Sequence, residues 1–172
     1  MNSTPLYPIY RKYNAKIIDF HDWALPVQFS SIIHEHQAVR NQVGLFDVSH
    51  MGEILIQGPD AVAFLDYALT NQISGLRPGS IRYSPLCLES GGTVDDLLIY
   101  CFQPDKFLLV VNASNINKDL EYLHQASLGY QVAIIDLSPE TAQIAIQGPS
   151  AAAVLKELTP TPLAEIGYYQ FI

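Results

Sequence analysis

Residues 54–65 read Ile-Leu-Ile-Gln-Gly-Pro-Asp-Ala-Val-Ala-Phe-Leu, and residues 144–155 read Ile-Ala-Ile-Gln-Gly-Pro-Ser-Ala-Ala-Ala-Val-Leu. Eight of the twelve positions are identical, at an offset of 90 residues. Each copy has a short alternating strand, a glycine (Gly58 or Gly148) that permits a turn, a proline at a possible helix start, and apolar residues at helical spacing. The pattern therefore predicts two strand–turn–helix units and two related lobes.

The surrounding sequence predicts a mixed α+β fold, with antiparallel sheets and helices packed on one side. Helices are predicted over 32–43, 60–69, 116–127 and 149–158, and strands over 53–57, 81–88, 93–102, 106–112, 130–137 and 141–147. Ser30 or Ser31 can cap the first of these helices, whose inner stripe would include Ile32 and Ile33. Gly91-Gly92 is a strong hairpin signal. Residues 7–29 are expected to form extended loop and short strand.

Composition excludes several classes of protein. Of the 172 residues, 49% are hydrophobic and 15% charged, which is typical of a globular chain and not of a disordered one. The sequence contains no run of 18 apolar residues, so it predicts no membrane span. Nine Lys and Arg against 17 Asp and Glu give a net charge of −8, which disfavours nucleic acid as a partner. Two cysteines and no targeting segment indicate a cytoplasmic protein.

Two adjacent carboxylates open the strand predicted over 93–102. Strand geometry sends Asp95 and Asp96 to opposite faces, but both faces are apolar beyond the turn, so the pattern does not decide which acid faces the core. A carboxylate beside an apolar, aromatic wall can bind a flat heterocycle, because rings stack on the wall and the carboxylate accepts N–H bonds. The pattern alone favours a simpler interpretation, in which both acids are hairpin residues that are solvated or bonded to nearby backbone.

A second polar segment brings Asp47, Ser49 and His50 together between a helix and a strand. Such a set can do acid–base chemistry, but the pattern favours a loop whose side chains satisfy its own backbone. The histidines do not have the spacing of a metal site. Cys87 and Cys101 could face each other across the hairpin, yet two ligands do not make a zinc site. No metal site is predicted.

Several segments together resemble the family of glycine cleavage system T-proteins, the aminomethyltransferases. They are DFHDWALPV at 19–27, GLFDVSHMGE at 44–53, GGTVDDL at 91–97, VVNASN at 110–115 and the two Gln-Gly-Pro units. The resemblance runs from about residue 5 to residue 172, in order and with the family spacing. It implies two intertwined lobes of a folate-binding fold, one over about 1–52 plus 138–172 and the other over 53–137. It also implies that this is the N-terminal part of a longer protein, with a C-terminal barrel outside these residues.

The resemblance implies a reaction. In this family, tetrahydrofolate attacks the methylene carbon that the lipoyl arm of the glycine cleavage H-protein carries, giving 5,10-methylenetetrahydrofolate and ammonia. The second Asp of Gly-Gly-x-x-Asp-Asp, here Asp96, would be the catalytic carboxylate, whereas Asp95 is expected to be structural. The folate cavity would be lined by Met51, Tyr83, Tyr100, Val110, Asn112 and Tyr168. The resemblance implies a monomer without a metal, nucleic acid or membrane partner.

Two alternatives stay open at this stage. One is a folate-binding relative with the same fold and another role, in tRNA modification, iron–sulfur maintenance or demethylation. The other is a fragment that acts only as a structural domain, with Asp96 a simple hairpin residue. A structural domain should show no stabilisation by a ligand.

Overall fold

The computed structural model describes all 172 residues and has five α-helices and nine β-strands, an α+β fold as predicted. The helices are α1 Tyr7–Lys12, α2 Ile32–Asn41, α3 Ala61–Ala68, α4 Ile116–Ala126 and α5 Ala151–Lys156. The strands are β1 Lys16–Phe20, β2 Trp23–Gln28, β3 Gly44–Asp47, β4 Gly52–Gln57, β5 Ile81–Cys87, β6 Thr93–Gln103, β7 Lys106–Val111, β8 Ala133–Asp136 and β9 Ile144–Gln147. No helix has the length and apolar character needed to cross a membrane.

The chain divides into two compact units. The first comprises Met1–His50 and Ala142–Glu165, and the second comprises Met51–Thr141 and Ile166–Ile172. The expected boundaries placed all of 138–172 in the first lobe, whereas 138–141 and the last seven residues belong to the second unit. The Ile81 amide donates to the Tyr169 carbonyl at 2.8 Å, and the Phe171 amide donates to the Gly79 carbonyl at 2.9 Å. These backbone bonds hold the C-terminal residues in the second unit.

The first unit contains two small antiparallel sheets, β1–β2 and β3–β9. Residues 7–29 form α1 and the β1–β2 hairpin, where extended loop and short strand were expected; Pro8 stands in the first turn of α1, a position that suits it. Ser31 caps α2, as one of the two predicted caps. The predicted inner stripe of α2 is wrong, because the helix has no buried residue and Ile32 and Ile33 are 57% and 67% exposed.

The second unit is built on a five-stranded antiparallel sheet with strand order β5-β6-β7-β4-β8. The predicted hairpin joins β5 to β6, and Gly91 has a positive φ of 85°. In this register Cys87 pairs with Thr93, whereas Cys101 pairs with Phe107 on β7. The two cysteines, which could have faced each other across the hairpin, therefore do not do so.

The main hydrophobic core lies between one face of this sheet and the helices α3 and α4. Its fully buried members include Phe64 and Leu65 of α3, Leu123 of α4, and alternate residues of three strands. The strand residues are Ile54, Ile56, Leu97, Ile99, Cys101, Phe107, Leu109 and Val111. Because successive strand residues point to opposite faces, the residues between them lie on the other face, away from these helices.

The two glycines of the repeat are required by close backbone approaches. Gly58 has a φ of 151°, and a Cβ there would lie 2.2 Å from the Gln131 carbonyl oxygen. Gly148 has a φ of 125°, and a Cβ there would lie 2.5 Å from the Gln42 carbonyl oxygen. The helices α3 and α5 begin two residues after each proline, slightly later than predicted. The same local structure thus recurs once in each unit.

Candidate functional site

The alternation of β6 separates the two adjacent carboxylates. Asp95 pairs with Leu86, shares its face with Leu97, and is 3% exposed on the core side of the sheet. Asp96 pairs with Pro85 and is exposed on the opposite face. The structure therefore settles what the sequence pattern left open: Asp95 points into the core and Asp96 points away from the helices.

A row of cross-strand partners runs across four strands on the face that carries Asp96. Tyr83 of β5 pairs with Leu98 of β6, Leu98 with Val110 of β7, and Val110 with Glu53 of β4. Direct partners in an antiparallel pair project from the same face. Two of the predicted cavity residues, Tyr83 and Val110, therefore share a face with Asp96.

Tyr100 lies on this face as well, two residues beyond Leu98 along β6. It pairs with Ile81 of β5, and its ring meets that of Phe171 edge-on at 5.4 Å. Burial raises the pKa of the Tyr100 hydroxyl above its ordinary value of 10.0. This end of the face therefore presents a fixed aromatic surface.

Direct polar contacts join Asp96 to two predicted neighbours. Asn112 Nδ2 lies 3.1 Å from the Asp96 carbonyl oxygen and 3.4 Å from its Oδ1. The pKa of Tyr83 is raised by desolvation, by the charge of Asp96 and by a hydrogen bond to that carboxylate. The Asp96 carboxylate thus lies beside an amide and a phenol while it stays accessible to solvent.

The structure places the last two predicted cavity residues at the margins of this arrangement. Tyr168 is 92% exposed and packs on Tyr169 with ring centroids 4.7 Å apart. Tyr168 and Tyr83 line the same open cavity of about 500 Å³, together with Asn71, Ile81, Arg82 and Tyr169. Met51 immediately precedes β4 and is half-buried. The cavity thus joins Tyr168, but not Met51, to the neighbours of Asp96.

Glu53 is a candidate that the sequence analysis missed. It is 2% exposed, and neither carboxylate oxygen has a hydrogen-bond partner. Desolvation and the nearby charge of Asp136 raise its pKa from 4.5 to about 7. An acid inside an otherwise apolar strand, Gly-Glu-Ile-Leu-Ile, is the signal that could have identified it.

A second missed group lies beneath Asp95. Asp119 of α4 is fully buried, and its pKa is raised from 3.8 to about 8 by desolvation, by a hydrogen bond to Asp95 and by the charge of Asp95. Asp95 itself accepts hydrogen bonds from the side chains of Asn112 and Asn115, at 2.8 and 2.7 Å. Desolvation raises the pKa of Asp95, but the contacts with Asp119, Asn112 and Asn115 outweigh it and hold the pKa below its usual range.

The polar segment of the first unit forms an internal network. Asp47 accepts from the Ser49 amide at 2.9 Å, from the Ser49 hydroxyl at 2.5 Å and from the Thr4 hydroxyl at 2.7 Å. It also accepts from Tyr10, whose pKa is raised to about 12 by burial and by this bond. The His50 ring meets Phe20 edge-on, at 6.1 Å. Only the bond from the Ser49 amide fits the favoured interpretation of a loop that satisfies its own backbone, because Thr4 and Tyr10 bind Asp47 through their side chains and His50 Nδ1 is buried without a partner.

The face around Asp96 can bind a flat, nitrogen-containing ring. Tyr83, Leu98 and Tyr100 provide apolar and aromatic surface, and rings stack favourably on such surfaces, whereas Val110 on the same face is buried at 7% exposure. The Asp96 carboxylate can accept N–H hydrogen bonds from the same ring or take a proton from it. No group of three or more His, Cys, Asp or Glu side chains is arranged to hold a metal ion.

Comparisons with known proteins agree on one family. The family model described as the GCVT N-terminal domain matches residues 6–172. Relatives named aminomethyltransferase are 53% identical in Geobacillus sp. (strain WCH70) and 48% identical in Desulfitobacterium hafniense (strain DSM 10664 / DCB-2), over 99% of this chain in each case. The chain spans 47% of the length of each of these relatives.

Solved structures agree with the family model. The glycine cleavage system aminomethyltransferase T from Bartonella henselae superposes with a TM-score of 0.93 and 37% identity, over 98% of this chain and 46% of that one. A heterotetrameric sarcosine oxidase from Corynebacterium sp. U-96 superposes with a TM-score of 0.58 over 80% of this chain and 69% of that one. At 20% identity the second match shows a shared fold alone.

Proposed function

Because the chain belongs to the GCVT N-terminal domain family, we propose that the whole protein is an aminomethyltransferase of glycine cleavage. Its substrates are tetrahydrofolate and a lipoylated H-protein that carries an aminomethyl group on sulfur. The products are 5,10-methylenetetrahydrofolate, ammonia and the dihydrolipoyl H-protein. This is the reaction that the sequence resemblance implied, and we expect it in the cytoplasm.

The observation that carries the proposal is the exposed carboxylate of Asp96 on an apolar and aromatic sheet face. A pterin ring is flat and rich in N–H groups, so stacking against side chains such as Tyr83 and Tyr100 would leave its nitrogens free to reach Asp96. The side-chain amide of Asn112, 3.4 Å from Asp96 Oδ1, would restrict the rotation of this carboxylate, and the nearby Tyr83 would limit it further. A restrained acceptor favours one orientation of the bound ring.

The chemistry requires proton transfer as well as positioning. The methylene carbon gains bonds to N5 and N10 of the folate and loses its bonds to sulfur and to the amine nitrogen. Two folate N–H hydrogens are released, and one ends on the departing ammonia while the other ends on the lipoyl thiol. Asp96 would orient the attacking nitrogen and accept a proton from it, the work of a general base within hydrogen-bond reach.

The remaining predicted residues take supporting roles in this proposal. Tyr100 and Val110 would pack against the pterin, and Met51, just before β4, would contact it outside the cavity lined by Tyr83 and Tyr168. Tyr168 would contact the ligand at the mouth of the cavity that it shares with Tyr83. The exposure of Tyr168 leaves its ring free to move onto a bound ligand.

The proposal is tested by tetrahydrofolate-dependent release of ammonia from aminomethylated H-protein, measured on the whole protein that carries this sequence. Asp96→Asn keeps the shape of the side chain and removes its charge, so we expect a loss of about 10²-fold or more in kcat. Asp105→Asn, in the exposed turn after β6, is the matched control. Equal rates in the two variants would contradict the assignment of Asp96, and no release by the wild type would contradict the activity.

A further inference from the structure

The buried carboxyl groups of Asp95 and Asp119 face each other beneath the Asp96 face. Asp95 accepts three N–H bonds, from Asn112 N at 3.1 Å, Asn112 Nδ2 at 2.8 Å and Asn115 Nδ2 at 2.7 Å. Asp119 is fully buried, and neither of its oxygens receives a hydrogen bond from a donor group. Asp119 lies one helical turn after Asn115, whose side chain donates to Asp95 Oδ1, so the two carboxyl groups are neighbours and each shifts the pKa of the other.

This asymmetry decides which acid carries a proton. Two adjacent negative charges without a compensating cation are very costly in a buried site. The acid that accepts three N–H bonds is stabilised as the anion, so Asp95 is ionised. No N–H or O–H group donates to Asp119, so a negative charge there would not be stabilised. When Asp119 is protonated, its O–H can donate to Asp95, so Asp119 keeps the proton. The raised pKa of Asp119 and the lowered pKa of Asp95 agree with this.

Asn112 connects the pair to the exposed face. Its side-chain nitrogen donates to Asp95 Oδ1 at 2.8 Å and lies 3.1 Å from the Asp96 carbonyl oxygen and 3.4 Å from Asp96 Oδ1. An amide has two N–H donors, so one nitrogen can serve both acids. The rotamer of Asn112, and with it the orientation of Asp96, therefore depends on Asp95.

We propose that Asp119, as a protonated carboxyl, donates to Asp95 and that the two form a positioning pair that holds Asn112 against Asp96. The pair does not touch the ligand. Its consequence for tetrahydrofolate rests on the proposed function, but the pairing itself does not. A hydrophobic residue at position 119 would leave Asp95 without its O–H donor and would loosen the link to Asp96.

The surroundings of Asp119 contain few other charges. The positive charge of Lys118 on α4 lowers the pKa of Asp119, although the Lys118 ammonium donates to the Val94 carbonyl oxygen at 2.5 Å. The other elements around the core present apolar side chains, such as Phe64 of α3 and Ile134 of β8. The titration of Asp119 should therefore report mainly on Asp95.

The test is a carboxyl-carbon NMR titration of the chain, with the side-chain amide of Asn112 followed in the same samples. We expect one aspartate signal to titrate near pH 8 in the wild type and to be absent in Asp119→Asn. The Asn112 amide and the Asp96 carboxyl signals should respond at the same pH in the wild type only. An Asp119 signal that titrates near its ordinary value of 3.8, or an Asn112 amide that does not respond, would overturn the pairing.

Tetrahydrofolate binding separates positioning from simple stability. Asp119→Asn keeps an N–H donor for Asp95, so its Kd should stay within about twofold of the wild type, whereas Asp119→Leu should weaken binding about tenfold. Equal affinities of Asp119→Leu and the wild type would overturn the positioning role. If Asp119→Leu does not fold, the NMR titration of the wild type and Asp119→Asn still decides whether Asp119 is paired with Asp95. If the expected NMR titration is seen but neither the wild type nor any variant binds tetrahydrofolate, the proposed function is contradicted and the pairing of Asp119 with Asp95 still holds.

Discussion

Replacing Glu53 by glutamine should make the stability of the chain less dependent on pH. Glu53 is 2% exposed without a hydrogen-bond partner, and desolvation with the charge of Asp136 raises its pKa from 4.5 to about 7. The folded chain therefore binds this proton more tightly than the unfolded chain does. The stabilisation is fully present below pH 4.5 and is lost as the pH rises through about 7.

The size of the effect follows from the shift. A rise in the pKa of Glu53 from 4.5 to about 7 means that the folded state loses about 3 kcal/mol of stability between low and high pH. About 2 kcal/mol of this falls between about pH 5.5 and about pH 8.5, where both forms can be studied. Glutamine cannot ionise, so the free energy of unfolding of Glu53→Gln should rise by about 2 kcal/mol relative to the wild type across this interval.

Urea unfolding at several pH values measures this difference directly. Other titrating groups are present in both proteins, so their contributions cancel in the comparison. Glu121→Gln, an exposed acid on α4, is the matched control and should follow the wild-type profile. Parallel profiles for Glu53→Gln and the wild type would refute the argument that a buried carboxylate without partners is destabilising here.

Three further substitutions have clear expected outcomes. Asn112→Ala should lower the free energy of unfolding by about 1–3 kcal/mol in urea unfolding, because buried Asp95 loses the hydrogen bond from Asn112 Nδ2; an unchanged midpoint would contradict this. Gly148→Ala should cost more than about 1 kcal/mol by thermal unfolding, because φ is 125° and the new Cβ would lie 2.5 Å from the Gln42 oxygen; a wild-type Tm would show that this contact is not rigid. Tyr168→Ala, at a side chain that is 92% exposed, should change the stability by less than about 0.5 kcal/mol; a larger loss would mean that Tyr168 is packed.

The regular elements of the second unit could be predicted from the sequence because their patterns are local. Alternation, the Gly91-Gly92 turn and helical spacing place β6, β7 and α4 within two residues of their observed bounds. The helix α1 was missed, although Pro8 in its first turn is a known start signal. The C-terminal residues were misplaced because their partners, such as Ile81, are distant in sequence.

The candidate site was less predictable because it depends on register and burial. Asp95 and Asp96 are adjacent in the same strand, and only the pairing with β5 and β7 shows which one faces the core. Asp119 lies on a helix with both polar and apolar residues, where an acid is usually solvated, and its burial follows from packing against β6. Side-chain alternation gives two faces, but tertiary structure decides which of them is covered.

Thermal unfolding with and without tetrahydrofolate tests most directly whether the Asp96 face is a folate site. Ligand at a hundredfold excess over Kd should stabilise the wild-type chain by about 2.7 kcal/mol, because it binds the folded state alone. Asp96→Asn should be stabilised much less, and Asp105→Asn should behave as the wild type. A cooperatively folded wild type without any shift, or equal shifts in the wild type and Asp96→Asn, would contradict the assignment of this face as the folate site.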